Sequence, residues 1–454
     1  MNSASIRSGF ALAVFFAAFS ASAVPVVSPS SVSATQDEYK HTVEIEYQLT
    51  GEPGIVTVDI QTNVSGDVWA SIGGEHYQNM YGDVNRVITN TTTKSHVWWH
   101  PDMDWGDTDP RTYNVRAVVT AWSTNSPPDY MAVDLMSMSN ILFYANAGSV
   151  AGGVTNRKYK TEWLLMRKIP ARGVVWRMGS PSDESGRAEG GMMINAEPAR
   201  LVVLTNDYYL GVYELTQRQY VNLNDGASSV SHSNVFGDGE DADVRPLENL
   251  NIYALRGNGS GPDSPYSWPE KGHDVIFSTS QPKYYKLAYL RLKSGLMFDL
   301  PTSAQWEYAC RAGTSGRFNN GEDSMDDVGW NSSNWSQDPS VTSNMTHVVG
   351  LKKPNAWGLY DMHGNVREYV LERYFYPEAE EGVTYVDPTI PPGTTNPIAS
   401  ESARYITRGG CYSETESWCR SAICTRVQNA GSKNGFRLWA PAEMPHYGKP
   451  RVFK

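Results

Sequence analysis

The segment Trp357–Tyr369 constrains this chain more than any other stretch. Gly358 and Gly364 permit backbone angles that are closed to residues with side chains. Asp361 and Glu368 offer hard carboxylate oxygens, and Gly364 and Val366 supply carbonyl oxygens between them. Two carboxylates plus carbonyls from one short turn suit a calcium ion, which takes about six to eight oxygens in flexible geometry. The plainer alternative is a tight turn with a solvated aspartate and a glutamate that caps nearby amides.

Around this turn lie 454 residues, enough for two or three domains with cores of their own. A net charge of −11 gives no invitation to nucleic acid or an anionic membrane. The 14 Trp and 26 Tyr suit buried cores first, and carbohydrate or peptide grooves second. The N-terminus reads as a secretory signal: Arg7, an apolar run from Phe10 to Phe19 too short to span a bilayer, and a small-residue cleavage site at Ala21–Ala23. An exported product without a membrane span, periplasmic or extracellular, is the expectation. Four cysteines, Cys310, Cys411, Cys419 and Cys424, all lie in the second half, and an even count in an exported chain points to one or two disulfides.

From Val24 to about Leu135 the pattern is all-β. Val43, Ile45, Tyr47 and Leu49 alternate with polar residues, as in a half-buried strand, and Ile55–Ile60 and Tyr113–Trp122 read as further strands. Short strands with frequent turns favour an immunoglobulin-like or fibronectin-like sandwich. Its acidic loop, Trp98–Asp109, carries Asp102, Asp104, Asp107 and Asp109 but lacks the glycine and terminal glutamate of an EF-hand loop, so it reads as a solvated connection. The run Asp238–Asp243 reads the same way. His96 and His100 are four apart, but a strand-rich context does not put them on a helical face as a metal pair would need. Ala147–Gly153 is small and flexible, a plausible boundary. The chain thus divides into a signal peptide at 1–23, a β-sandwich at 24–146, a linker at 147–158, a second domain at 159–444 and a tail at 445–454.

Beyond the linker, Gly358–Glu368 closely resembles the signature of the formylglycine-generating enzymes, or sulfatase-modifying factors. Arg367 and Tyr369 stand where that family usually has Trp. Further matches are Met178–Ser180 followed by Glu197-Pro198, Tyr208–Tyr220, Arg245–Glu248, Leu300–Gly313, Arg408–Gly410 and Asn434–Leu438. Within them Thr216, and Thr302 or Ser303, are natural helix caps. The resemblance implies an α+β fold, a variant of the C-type lectin fold with little regular secondary structure. It implies pairing of chain-end strands at 163–168 and 435–439, and a structural calcium on Asp361, Gly364, Val366 and Glu368.

The same resemblance implies an oxidase that converts a cysteine of sulfatases to formylglycine, using two cysteines five apart that bind copper(I). Counted forward from Gly410, the first of these positions falls on Glu414 and the second on Cys419. Cys424 then falls at the position whose cysteine forms a disulfide with Cys310. Cys419 is the competing partner, because Cys419–Ala422 also resembles a motif of relatives without the copper pair. A shifted pair, Cys419 with Cys424, is the third arrangement. A carboxylate is a poor ligand for a soft cation, and Arg420 and Arg426 are near enough in sequence to neutralise it. The sequence therefore points to an exported, lectin-like module that binds a peptide, protein or glycan. A copper-dependent oxidase acting on a sulfatase-type cysteine is the alternative.

Overall fold

The computed structural model describes residues 24–37, 39–105, 114–187, 199–223, 241–250, 255, 286–341, 343–371, 382–388, 405–427 and 433–443. The expected signal peptide and tail lie outside these residues, as do Asp107, Asp109, Glu197, Pro198 and the run 238–240. Among the described residues no helix is long and apolar enough to cross a membrane.

The N-terminal region is built from β1 (Ser33–Asp37), β2 (Thr42–Tyr47), β3 (Gly54–Ser65), β4 (Val68–Ser71), β5 (Met80–Gly82), β6 (Arg86–Ile88), β7 (Ser95–Trp99) and β8 (Val115–Trp122). One sheet has the order β1-β2-β7-β5; the other has β8-β3-β4, with β6 also on β3. Alternation along the strands sends Val43, Ile45, Tyr47, Val97 and Trp99 from the first sheet, and Val56, Val58 and Ile60 from the second, into one core. This is the expected all-β sandwich. The acidic loop is partly structural. Pro101–Trp105 forms a short helix, α1, and Asp104 accepts hydrogen bonds from Trp99 Nε1 (2.9 Å) and Asn79 Nδ2 (2.6 Å).

The two parts of the chain share more than a linker. β9 (Tyr130–Asp134) and β10 (Ile141–Tyr144) join β11 (Trp163–Ile169), β12 (Tyr208–Gly211) and β17 (Trp439–Pro441) in an antiparallel sheet of order β10-β9-β11-β12-β17. The sheet therefore runs across the expected boundary. Ala147–Gly153 is also docked, because Gly74 N donates to Gly148 O (2.7 Å) and Gly152 N donates to Gly74 O (2.9 Å). The expected direct pairing of the chain-end strands is corrected: β12 lies between β11 and β17 and bonds to both.

A second sheet, β15-β14-β13-β16, gathers Arg367–Tyr369 (β13), Tyr405–Arg408 (β14), Cys424–Val427 (β15) and Asn434–Gly435 (β16). Two helices have clear local causes. α2 (Gln217–Asn222) starts at a capping box of Thr216 and Gln219, and α3 (Ser303–Arg311) at one of Thr302 and Gln305. α3 buries Trp306, Ala309 and Cys310, and its Glu307 takes Arg408 (3.0 Å) and Arg311 (2.8 Å) as buried ion partners. Because the Thr302 hydroxyl accepts from Gln305 N (3.1 Å), Thr302→Ala is expected to cost about 1 kcal/mol. Urea denaturation should show a lower midpoint with an unchanged slope.

Candidate functional site

The turn at 357–369 sits where the two sheets meet, and backbone geometry fixes its course. Asp361 and Asn365 adopt left-handed angles (φ +55° each) and Gly364 has φ +80°. A Cβ on Gly364 would lie 1.7 Å from Trp330 O, so only glycine fits. Asn365 Oδ1 then accepts from His347 N (2.9 Å), and Asn365 N donates to Trp330 O (3.0 Å).

Charge accumulates behind this turn. Arg437, fully buried, donates Nε to Glu368 Oε2 (2.7 Å) and Nη2 to Glu368 Oε1 (2.6 Å), and it also bonds the carbonyls of Gly211 and Tyr360 (3.0 Å each). Trp306 Nε1 donates to the same Glu368 Oε2 (2.7 Å). Glu214, also fully buried, accepts from Asn365 Nδ2 (2.7 Å) and Val366 N (3.1 Å). Burial, and then the neighbouring charges of Asp361 and Glu368, push its carboxyl well above the usual range. Asp361 accepts from Gly350 N at Oδ2 (2.6 Å), while its Oδ1 has no hydrogen-bond partner among the described residues. Burial raises its pKa to about 6, against the opposing hydrogen bond from Gly350 and the charges of Arg437 and Lys160.

Three buried carboxylates, Glu214, Asp361 and Glu368, thus face the one guanidinium of Arg437, with Lys160 acting on Asp361. Excess buried anion and an orphaned carboxylate oxygen are what a hard cation would relieve. Of the expected ligands Asp361, Gly364, Val366 and Glu368, Asp361 has the free hard oxygen that calcium chemistry calls for, whereas both oxygens of Glu368 accept from Arg437 and its Oε2 accepts from Trp306 as well. Glu214 was missed in the sequence; its partners lie about 150 residues away, beyond any local pattern.

The second cluster contains the expected thiol positions. Glu414 and Arg367 form a two-pronged ion pair, through Arg367 Nε to Glu414 Oε2 (3.1 Å) and Nη2 to Oε1. The same carboxylate accepts from Cys411 N (3.1 Å). Arg420 is not its partner, as its guanidinium pairs with Glu184 (2.5 Å), and the Arg426 side chain lies outside the described residues. All four cysteines are buried thiols, and the expected Cys310–Cys424 disulfide is not formed. Cys310 Sγ lies instead 3.7 Å from His363 Nε2, and Cys424 Sγ lies 4.0 Å from Ser303 Oγ. Cys419 packs with Phe318, Met325 and Val328, whereas Cys424 packs in the core of Trp306 and Ile406, so the shifted pair is not brought together. Burial pushes the Cys310 thiol up to about 12, and raises Cys411 and Cys419 with help from the Glu414 charge. His363 links the thiol regions. Its Nε2 accepts from Asn319 N (3.1 Å), so Nδ1 carries the proton and donates to Cys419 O (2.7 Å).

With this geometry in view, residues 172–441 match the family model described as the sulfatase-modifying factor enzyme 1-like domain. The chain belongs to this family. It carries the α+β sulfatase-modifying-factor fold behind an N-terminal all-β sandwich. Among sulfatase-modifying-factor relatives, it is 23% identical to the mouse formylglycine-generating enzyme, over 61% of this chain and 75% of that protein. It is 32% identical to the Streptomyces coelicolor formylglycine-generating enzyme over 32% and 47%. It is also 29% identical to the chaperone protein LppX of Paenibacillus barcinonensis over 39% and 67%. Solved structures that align with it include PvdO from Pseudomonas aeruginosa (19% identity, TM-score 0.42, 61% of this chain and 94% of that one). Treponema denticola variable protein 1 aligns at 22% identity and TM-score 0.41, over 62% and 95%.

The buried groups set a pH dependence. His347 and His363 are held down to about 4 by burial. Their contribution to stability is full above the unfolded value of about 6.5 and is lost as pH falls toward the folded value. Asp361 acts in the opposite sense: its folded pKa is raised, so its contribution is present at low pH and lost as pH rises through about 6. In the absence of divalent cations, Asp361→Asn should be at least as stable as the parent near neutral pH. It should lose more stability on acidification to about pH 5, because the offset to the histidines is gone. Urea titrations of both proteins at the two pH values check this.

Proposed function

We propose that this protein is an exported family member whose lectin-like domain binds a peptide, protein or glycan, and that it does not work as a copper oxidase. The Arg367–Glu414 ion pair carries this reading. Glu414 stands at the first of the two copper cysteine positions and Arg367 at a position usually held by Trp, and the two departures meet each other in space. A carboxylate satisfied by a guanidinium is a poor partner for copper(I), which favours thiolates. The neighbouring Cys411 and Cys419 are buried with raised thiol pKa values, the opposite of what an activated thiolate needs. A relative named as a chaperone supports a binding role, and the leader-like segment at Arg7–Ala23 supports export to the periplasm or beyond.

We further propose that calcium stabilises the domain through Asp361, Glu368 and the carbonyls of Gly364 and Val366. The orphaned Asp361 Oδ1 and the excess of buried carboxylates support it. A ligand that binds only the folded state adds to its stability. Calcium should therefore raise the melting temperature of chelator-treated protein, and Asp361→Asn should abolish that rise. A rise that persists unchanged in the variant removes Asp361 from the site.

The oxidase alternative is decided by incubating the protein with a Cys-x-Pro-x-Arg peptide, copper and oxygen, and reading the product by mass. No aldehyde is expected from the parent. The Glu414→Cys change leaves Arg367 largely buried without its anion, and should cost about 1–3 kcal/mol. Combining it with Arg367→Trp should recover much of that loss in a double-mutant cycle. Aldehyde formation that vanishes in Cys419→Ser would establish the oxidase instead.

A further inference from the structure

The outer face of the N-terminal sandwich carries a group of side chains that the proposed binding role does not use. β2 and β7 are antiparallel neighbours, with Glu46 opposite His96 and Glu44 opposite Trp98. The alternation that buries Val43, Ile45, Val97 and Trp99 turns Glu44, Glu46 and His96 to the other side of the same sheet. His96 Nδ1 lies 2.9 Å from Glu44 Oε1 and 3.7 Å from Glu46 Oε1. One ligand atom from each residue falls within 4.8 Å of the others, and among the described residues no other His, Cys, Asp and Glu group of this size does so.

We propose that Glu44, Glu46 and His96 form a binding site for a zinc-type divalent cation. The donor set is one imidazole nitrogen and two carboxylate oxygens, a combination that suits zinc and its neighbours better than calcium or magnesium, which favour all-oxygen shells. Tetrahedral zinc with bonds of about 2.0–2.2 Å sets its ligand atoms about 3.3 Å apart, and the two distances from His96 fall on either side of that value. Supporting contacts fix the donors. The His96 ring stacks on Trp98 (centroids 5.8 Å, planes 14° apart), and Lys94 Nζ holds the other oxygen of Glu46 (2.6 Å), leaving Oε1 toward His96. The three side chains are 31–42% exposed, so an ion can enter from solvent. Three protein ligands also leave a coordination position for water or an added ligand. Glu44 lines a neighbouring groove of about 640 Å³ together with Thr35, Asp37, Tyr81 and Trp98, so that open position adjoins a cavity.

The test is a zinc titration of the whole protein, stripped with chelator and returned to excess calcium, followed by calorimetry. One equivalent should bind, and binding should be lost in His96→Ala and in Glu44→Gln. His100→Ala should bind as the parent does, because His100 is engaged with Tyr81 (3.3 Å) and lies outside the group. Circular dichroism confirms that the variants, all altered at partly exposed positions, remain folded. Cobalt(II) gives a second readout: its visible spectrum at this site should lack the intense charge-transfer band of thiolate ligation. Failure of the parent to bind zinc, binding unchanged in His96→Ala, or a thiolate band would each overturn the proposal. None of these results depends on whether the second domain binds a peptide, protein or glycan.

Discussion

The second domain depends on the fully buried contact between Arg437 and Glu368. Its backbone is mostly irregular, so regular hydrogen-bond ladders fix few of its segments relative to one another. Arg437 does this work with directed bonds: two to Glu368 on β13, one to Gly211 at the end of β12, and one to Tyr360 in the central turn. Removing two ions from water costs several kcal/mol each, so such a pair contributes little net stability. It does make alternative packings costly, since any displacement strands a charge. Glu307 does the same between Arg408 and Arg311. The charged residues of the most recognisable motifs are therefore struts of the fold before they are anything else.

Local chemistry was legible from the sequence and tertiary partnership was not. Thr216 and Thr302 announce their helices because a cap and its partner lie three residues apart. The alternation of Val43, Ile45 and Tyr47 announces a strand with one buried face. Glu414 is recognisable as out of place, but local spacing points only to the nearby Arg420 and Arg426 as partners. The actual partner, Arg367, comes from another strand 47 residues away. His96 gives the same lesson. Four-residue spacing to His100 counts against a helical metal pair, but a strand sets alternate residues on one face, and the register of β2 against β7 then brings glutamates to His96. The strands at 130–144 read as part of the sandwich because alternation reports a buried face without naming the sheet that buries it.

The excess of buried carboxylate behind the central turn and the ion pair at Glu414 are two answers to one problem. An anion removed from water needs a counter-charge, and a protein can supply it from its own chain or borrow it from solution. At Glu414 the chain supplies it, through the guanidinium of Arg367. Around Asp361 the chain supplies too little: one carboxylate oxygen has no partner among the described residues, and burial raises the carboxyl pKa to about 6.

The sheet that crosses the expected domain boundary has a consequence for how the chain can be divided. β11 is flanked by β9 on one side and β12 on the other. A fragment cut at the small-residue stretch 147–153 would strip β9 and β10 from the sheet and leave Leu164, Leu165 and Met166 on a bare edge. Exposed apolar edges template pairing between chains and lead to aggregation. The N-terminal region therefore contributes the protective margin of the neighbouring sheet. A fragment of the second part that keeps this edge covered has to begin at or before Tyr130, ahead of the residues that look like a hinge.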